Sequence, residues 1–239
     1  MQNLQEISKT PNIPPPKISE TEEIGQQSWA EIIKNLPLDS RLTLHGRTFE
    51  DYENLLEAAP EASGLRINYA EGILEIMTLS SEHESYVRLL ERMIGNFIVR
   101  RRVEILSFGS ATIKKSRLMQ GAEPDACFYV QTAAQIGNRI QLDFSVDPPP
   151  DVAVEIDLHH ESLYKIPIYA ALGVSEIWRY DGEKLEIHKL AGGEYVRQER
   201  SDALPILSAE ILTDFLNRSR TETQPKILFA FEDWLKTQK

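Results

Sequence analysis

Sulfhydryl chemistry is nearly missing: Cys127 is the single cysteine among 239 residues. One thiol excludes an internal disulfide and a cysteine-built zinc cage, and its neighbours Ala126, Phe128 and Tyr129 mark it as a small core residue. Positive charge is also scarce. Lys and Arg number 26 against 37 Asp and Glu, a net charge of -11, which counts against a general nucleic-acid coat because phosphate binding needs cations to release counterions. Glycines number 12, and none follow a strand at the spacing of a phosphate-cradling loop. No apolar run approaches the roughly 20 residues that span a bilayer. The start "MQNLQEISKTPNIPPPK" has neither the basic region nor the apolar stretch of a secretory signal. The expectation is a soluble, cytoplasmic protein without a membrane partner.

What is present is a mixture of helix and strand signals. Residues 1–26, rich in Pro, Gln, Glu, Ser and Thr, bury too little apolar surface to offset ordering entropy and read as a flexible leader. "RLTLHG" reads as a strand, and "TFEDYENLLEAA" as a helix capped by Thr48 with Phe49, Tyr52, Leu55 and Leu56 at helical spacing. "LRINYAEGILEIMTL" alternates on both sides of Glu71-Gly72, a hairpin signal. Ser81 to Arg100 carries Val87, Leu90, Met93 or Ile94, and Phe97 on one stripe, with Ser81 and Glu84 spaced as a capping box. "VEILSF", "ATIKKS", "DACFYV" and "DVAVEID" read as strands, and "IPIYAAL" as a short helix ending at Gly173. "EIWRYD" and "KLEIHKL" form a second hairpin, "EYVRQERS" adds a strand, and "SAEILTDFLNRS" and the last fifteen residues read as helices. This order predicts a mixed α/β (α+β) fold with a mixed sheet.

The chemistry concentrates in "PPPDVAVEIDLHHESLYK", residues 148–165. Alternation along "DVAVEID" sends Val152, Val154 and Ile156 to the core and leaves Glu155 and Asp157 on the opposite face, about 7 Å apart. Like charges that close call for a cation. In "GAEPDACFYV", Asp125 opens an alternating run thirty residues before Glu155. If the two strands pair, Asp125 faces Glu155, and two carboxylates make a hard oxygen site suited to Mg2+ or Mn2+. Pro167 must lie in the first turn of the following helix, which sets Lys165 at the helix start, close to the carboxylates. His159 and His160 suggest zinc or proton transfer only in isolation, since no cysteine or third histidine is near. The basic runs Arg100 to Arg102 and Lys114 to Arg117 read as solvated faces, and Trp178 and Tyr180 as core residues.

Taken together in order, "LTLHGRTFEDY", "LRINYAEGILEIMTLSSEHE", "EPD", "PPPDVAVEID" and "YKIPIYAALGVSEIWRYD" resemble the Uma-two family of restriction endonucleases, a branch of the PD-(D/E)XK nuclease superfamily. The resemblance implies a restriction-endonuclease-like core, a central mixed sheet flanked by helices, over 27–219; residues 220–239 fall outside it and read as a C-terminal helical extension. It also implies Mg2+-dependent (or Mn2+-dependent) hydrolysis of DNA phosphodiester bonds. Carried over by position, Asp125 and Glu155 are metal ligands and catalytic residues. The superfamily lysine two residues after Glu155 is replaced here by Asp157, and Lys165 on the following helix stands in for it. Glu84, with His83, on the first core helix is a further candidate for the metal site. Cutting both strands needs two sites, which makes a homodimer the expected assembly. The alternatives are a catalytically weak or inactive nuclease fold used for binding or assembly, and a zinc hydrolase using His159 and His160.

Overall fold

The computed structural model describes residues 29–59, 64–159 and 162–238, so the expected leader and His160 lie outside the described residues. Its strands form two sheets where the resemblance implied one. Strands β1 (Arg41–Leu44), β2 (Leu65–Ala70), β3 (Ile73–Thr78), β5 (Ile113–Lys115) and β6 (Gln120–Ala122) make a five-stranded antiparallel sheet in the order β1-β3-β2-β6-β5. Strands β4 (Leu106–Ser107), β7 (Ala126–Tyr129), β8 (Val152–Ile156), β9 (Glu176–Tyr180), β10 (Leu185–Ala191) and β11 (Glu194–Gln198) make a six-stranded sheet in the order β11-β10-β9-β8-β7-β4. This second sheet is mixed: β8 and β9 run parallel and its other pairs antiparallel.

The division into two sheets follows from burial. Leu65, Ile67, Tyr69, Leu74 and Ile76 alternate onto one face of the β2–β3 hairpin and pack with Tyr52 and Leu55 of helix α2 (Phe49–Ala58) in a core of their own. The hairpin turns at Glu71 and Gly72, both at positive φ, which glycine adopts freely and which closes a tight two-residue turn. Thr48 caps α2 through a reciprocal hydrogen-bonded box with Asp51. Helix α1 (Trp29–Asn35) precedes β1.

Helix α3 (Ser81–Arg101) is the long amphipathic helix the periodicity indicated, but its cap is Ser80, whose hydroxyl accepts from the His83 N–H at 3.1 Å. The two neighbouring serines offer the same capping chemistry, and the first of them takes the extended backbone a cap requires. With α6 (Ala209–Asn217) and α7 (Gln224–Thr237), α3 covers one face of the six-stranded sheet, burying Val152, Val154, Ile156, Trp178 and Tyr180. The short α4 (Ala133–Ile136) follows β7. Helix α5 (Lys165–Leu172) is the crossover joining β8 to β9, and it packs Ile168, Tyr169 and Leu172 over Ala153 and Ile177 on the other face. β8 is therefore buried on both faces.

Candidate active site

β7 and β8 pair antiparallel with Ala126 opposite Val154, and the ladder continues with the Asp125 N–H donating to the Val154 carbonyl at 2.9 Å. Extending that register sets Asp125 against Glu155 at the end of the pair, as the two alternating runs suggested. Both carboxylates are buried. Each is held by donors from elements far away in sequence.

The Asp125 carboxylate accepts from Arg66 Nε at 3.0 Å and from the Ile156 N–H at 2.8 Å, and it lies 2.9 Å from His83 Nε2. Burial alone would raise its pKa, but the His83 hydrogen bond and the charges of His83, Arg66 and Lys165 outweigh it and hold the carboxyl well below the usual carboxylate range. Arg66 reaches Asp125 because alternation along β2 turns Arg66 and Asn68 away from the Leu65, Ile67 and Tyr69 core.

Glu155 accepts from Lys165 Nζ at 2.8 Å and from the Tyr169 hydroxyl. Lys165 and Tyr169 stand four residues apart on α5, so one helix face brings both to the same carboxylate. Burial pushes the Glu155 carboxyl up to about 7, with Lys165 opposing that rise and the charges of Asp125 and Asp157 adding to it. Burial pulls the Lys165 ammonium down, yet the charges of Glu155 and Asp125 raise it beyond its ordinary value, so it stays protonated. Its second contact, 3.3 Å, is to the carbonyl of Glu123. The Glu123 side chain accepts from the Ile67 N–H and from Thr112, and its own N–H donates to Asn68. Arg66, Asn68, Glu123 and Tyr169 thus support the centre. The sequence reading missed all four, although Glu123 stood in "EPD" and the Lys165–Tyr169 spacing was a helical i,i+4 signal.

Asp157 faces the loop: it accepts from the N–H and hydroxyl of Ser162, at 2.9 and 3.0 Å, and from Arg179 Nε at 2.5 Å. Glu84 turns to Arg88, 2.7 Å away, while its neighbour His83 is the α3 residue that meets Asp125. His159 lies on the surface, 3.6 Å from Asp39. Lys114 pairs with Glu53 at 2.8 Å and Lys115 donates to the last carbonyls of α5 through Leu172 at 2.7 Å, both structural contacts. Cys127 is buried, its thiol pushed up to about 12 by that burial.

Asp125 borders a cleft of about 520 Å³ rimmed by Arg66, Ser80, Ser81, Glu84 and Arg88. Its two arginines are already engaged, Arg66 with Asp125 and Arg88 with Glu84 and Glu91. Among the described residues no three His, Cys, Asp or Glu side chains gather in a ready metal cage. Mg2+ takes one or two carboxylates and completes its shell with water and phosphate oxygens. Asp125 and Glu155 supply that number. Among the described residues, no helix is long and apolar enough to cross a membrane.

Residues 49–217 match the model of the family described as "Uma2: Putative restriction endonuclease". Among solved structures the chain is similar to the crystal structure of "a putative nuclease belonging to DUF820" from Anabaena variabilis, at 16% identity and a TM-score of 0.48, covering 76% of this chain and 98% of that one. No curated protein matches it.

Proposed function

The chain belongs to the Uma2 restriction endonuclease family, and from that premise we propose that it is a metal-dependent endonuclease hydrolysing DNA phosphodiester bonds. The observation that carries the reading is the convergence of Asp125 and Glu155 at the end of the β7–β8 pair with Lys165 Nζ 2.8 Å from Glu155. Asp125 and Glu155 would hold Mg2+ or Mn2+. A bound cation of this kind supplies an activated water and neutralises charge on the phosphate. Arg66 and His83 keep Asp125 ionised, so it meets a cation without first losing a proton. Lys165 keeps a positive charge beside Glu155, where it can orient the attacking water or offset charge on the pentavalent phosphate. The cleft at Asp125 is the approach for a phosphate backbone, and a homodimer would supply the second centre for the second strand.

In the predicted test, purified protein with Mg2+ or Mn2+ nicks or cuts duplex DNA. Asp125→Ala and Glu155→Ala each lower the rate by a factor of about 100 or more while circular dichroism stays native. Equal cutting by wild type and both variants would trace the activity to a contaminant.

A second reading has its own support. Every oxygen of the two carboxylates already takes a protein donor or a histidine nitrogen, and both arginines of the cleft are paired, which favours a catalytically weak member that uses the fold for binding or assembly. Calorimetric titration with Mn2+ separates the two. Binding that disappears in Asp125→Ala supports the enzyme, and no binding supports the module.

A further inference from the structure

The polar face of the five-stranded sheet builds a second cleft. Alternation along its strands turns Arg41 and Thr43 of β1, Asn68 of β2 and Glu75 of β3 away from the α2 core, because Thr43 and Asn68 flank Glu75 in the ladder. Gln120 of β6 joins them, and Tyr164, Pro167 and Ile168 at the start of α5 close the other side. The cleft holds about 550 Å³. That lies within the roughly 300–1,000 Å³ range of small-molecule sites.

Two residues that line it carry acceptors without a hydrogen-bond partner among the described residues. Glu75 is 4% exposed, and its Oε1 has no hydrogen-bond partner among the described residues. Its other oxygen lies 3.4 Å from Arg41 Nε. The buried Oε1 of Gln120 is likewise unpartnered among the described residues. Two orphaned acceptors in one cleft are costly unless a ligand donates to them. Once deprotonated, Glu75 repels a phosphate, and both oxygens then take N–H donors. One wall is flat, the Arg41 guanidinium lying 5.1 Å over the Tyr164 ring, and Ile73, Pro167 and Ile168 add apolar lining. A planar heterocycle with N–H donors on its edge matches both features.

We propose that this cleft receives an unstacked nucleobase bearing an exocyclic amino group, with Glu75 and Gln120 as its acceptors. The inference rests on the nuclease reading only for the source of the base. Tyr164 directly precedes Lys165, and Asn68 donates to the Tyr164 hydroxyl at 3.0 Å while accepting from the N–H of Glu123, whose carbonyl receives Lys165. A base held here therefore lies against the elements that carry the candidate centre, one residue along the chain from its lysine. Extruding a base costs least from a single strand or a mismatch, so the occupant would come from single-stranded or distorted DNA.

The test is calorimetric titration of the full chain with cytidine, adenosine, guanosine and thymidine, without metal. At least one amino-bearing nucleoside is expected to bind about tenfold more tightly than thymidine, and Glu75→Gln and Gln120→Leu to weaken that binding by about tenfold each. Absence of binding by all four, equal binding of thymidine, or unchanged affinity in both variants would overturn the proposal. If Glu75→Gln does not fold, Gln120→Leu decides. A single-stranded hexamer of the preferred base that binds more tightly than its nucleoside identifies a strand as the source, and equal affinity identifies the free nucleoside; either supports the pocket. Nucleoside binding by a chain that never cuts DNA would sink the nuclease reading and leave the pocket standing, while cutting without nucleoside binding would do the reverse.

Discussion

Lys165 is 1% exposed, a buried charge whose ion-pair partner is Glu155. Removing one partner of such a pair strands the other in a low dielectric, whereas removing both exchanges an ion pair for packing. Lys165→Met should therefore lower stability by about 3–5 kcal/mol, and adding Glu155→Gln should recover a large part of that loss. Chemical denaturation of the two variants checks it, and a double variant no more stable than the single one would show the charges to be uncoupled. The same two residues show what a sequence reveals at this scale. Residue types and spacing point to Glu155 and Lys165, but whether a lysine ten positions away touches a carboxylate depends on where the helix between them and β9 lands.

At the scale of elements, the five-stranded sheet is closed by a backbone approach. A Cβ added at Gly121 of β6 would collide with the ring and hydroxyl of Tyr52, which α2 drives into the sheet opposite it. Gly121→Ala should cost about 1–3 kcal/mol, a drop in Tm of several degrees for a chain of this size. Tyr52→Phe, which removes a buried hydroxyl without a partner among the described residues, should relieve part of that cost. Scanning calorimetry of the three variants reads the order directly. Helices α2, α3, α5 and α6 were legible from caps and apolar stripes, since both are local. "VEILSF" reads as a strand, yet the ladder takes only Leu106–Ser107, with the Phe108 N–H reaching the Cys127 carbonyl beyond it.

Across the whole molecule the acidic balance makes stability depend on pH in a specific way. Burial pushes Glu75 from 4.5 up to about 7, with Arg41 and Lys165 opposing the rise. The folded state thus holds a proton that the unfolded chain has released, so this group's contribution to stability falls as pH rises from 4.5 to about 7, by up to about 3 kcal/mol. Asp125 acts in the opposite sense: its depressed pKa contributes stability above the unfolded value of 3.8 that is lost as pH falls below it. Glu75→Gln should flatten the decline in Tm between pH 5 and pH 8 by about several degrees relative to wild type. Glu155 titrates in both proteins and cancels in the comparison. Parallel melting curves against pH would show that Glu75 is not the group responsible.

Local physics in the sequence determined the elements, the core stripes and the mixed class, because caps, alternation and turn residues act over a few positions, and it left the pairing of the two acidic strands as a condition that the fold met. Tertiary structure decided the rest. It split the strands into two sheets, because the β2–β3 hairpin had its own helix to bury against. It turned Glu84 to Arg88 and His83 to Asp125, and it brought Arg66 from 59 positions away to the same carboxylate. Those contacts join faces of distant elements, and no spacing along the chain encodes how two faces meet.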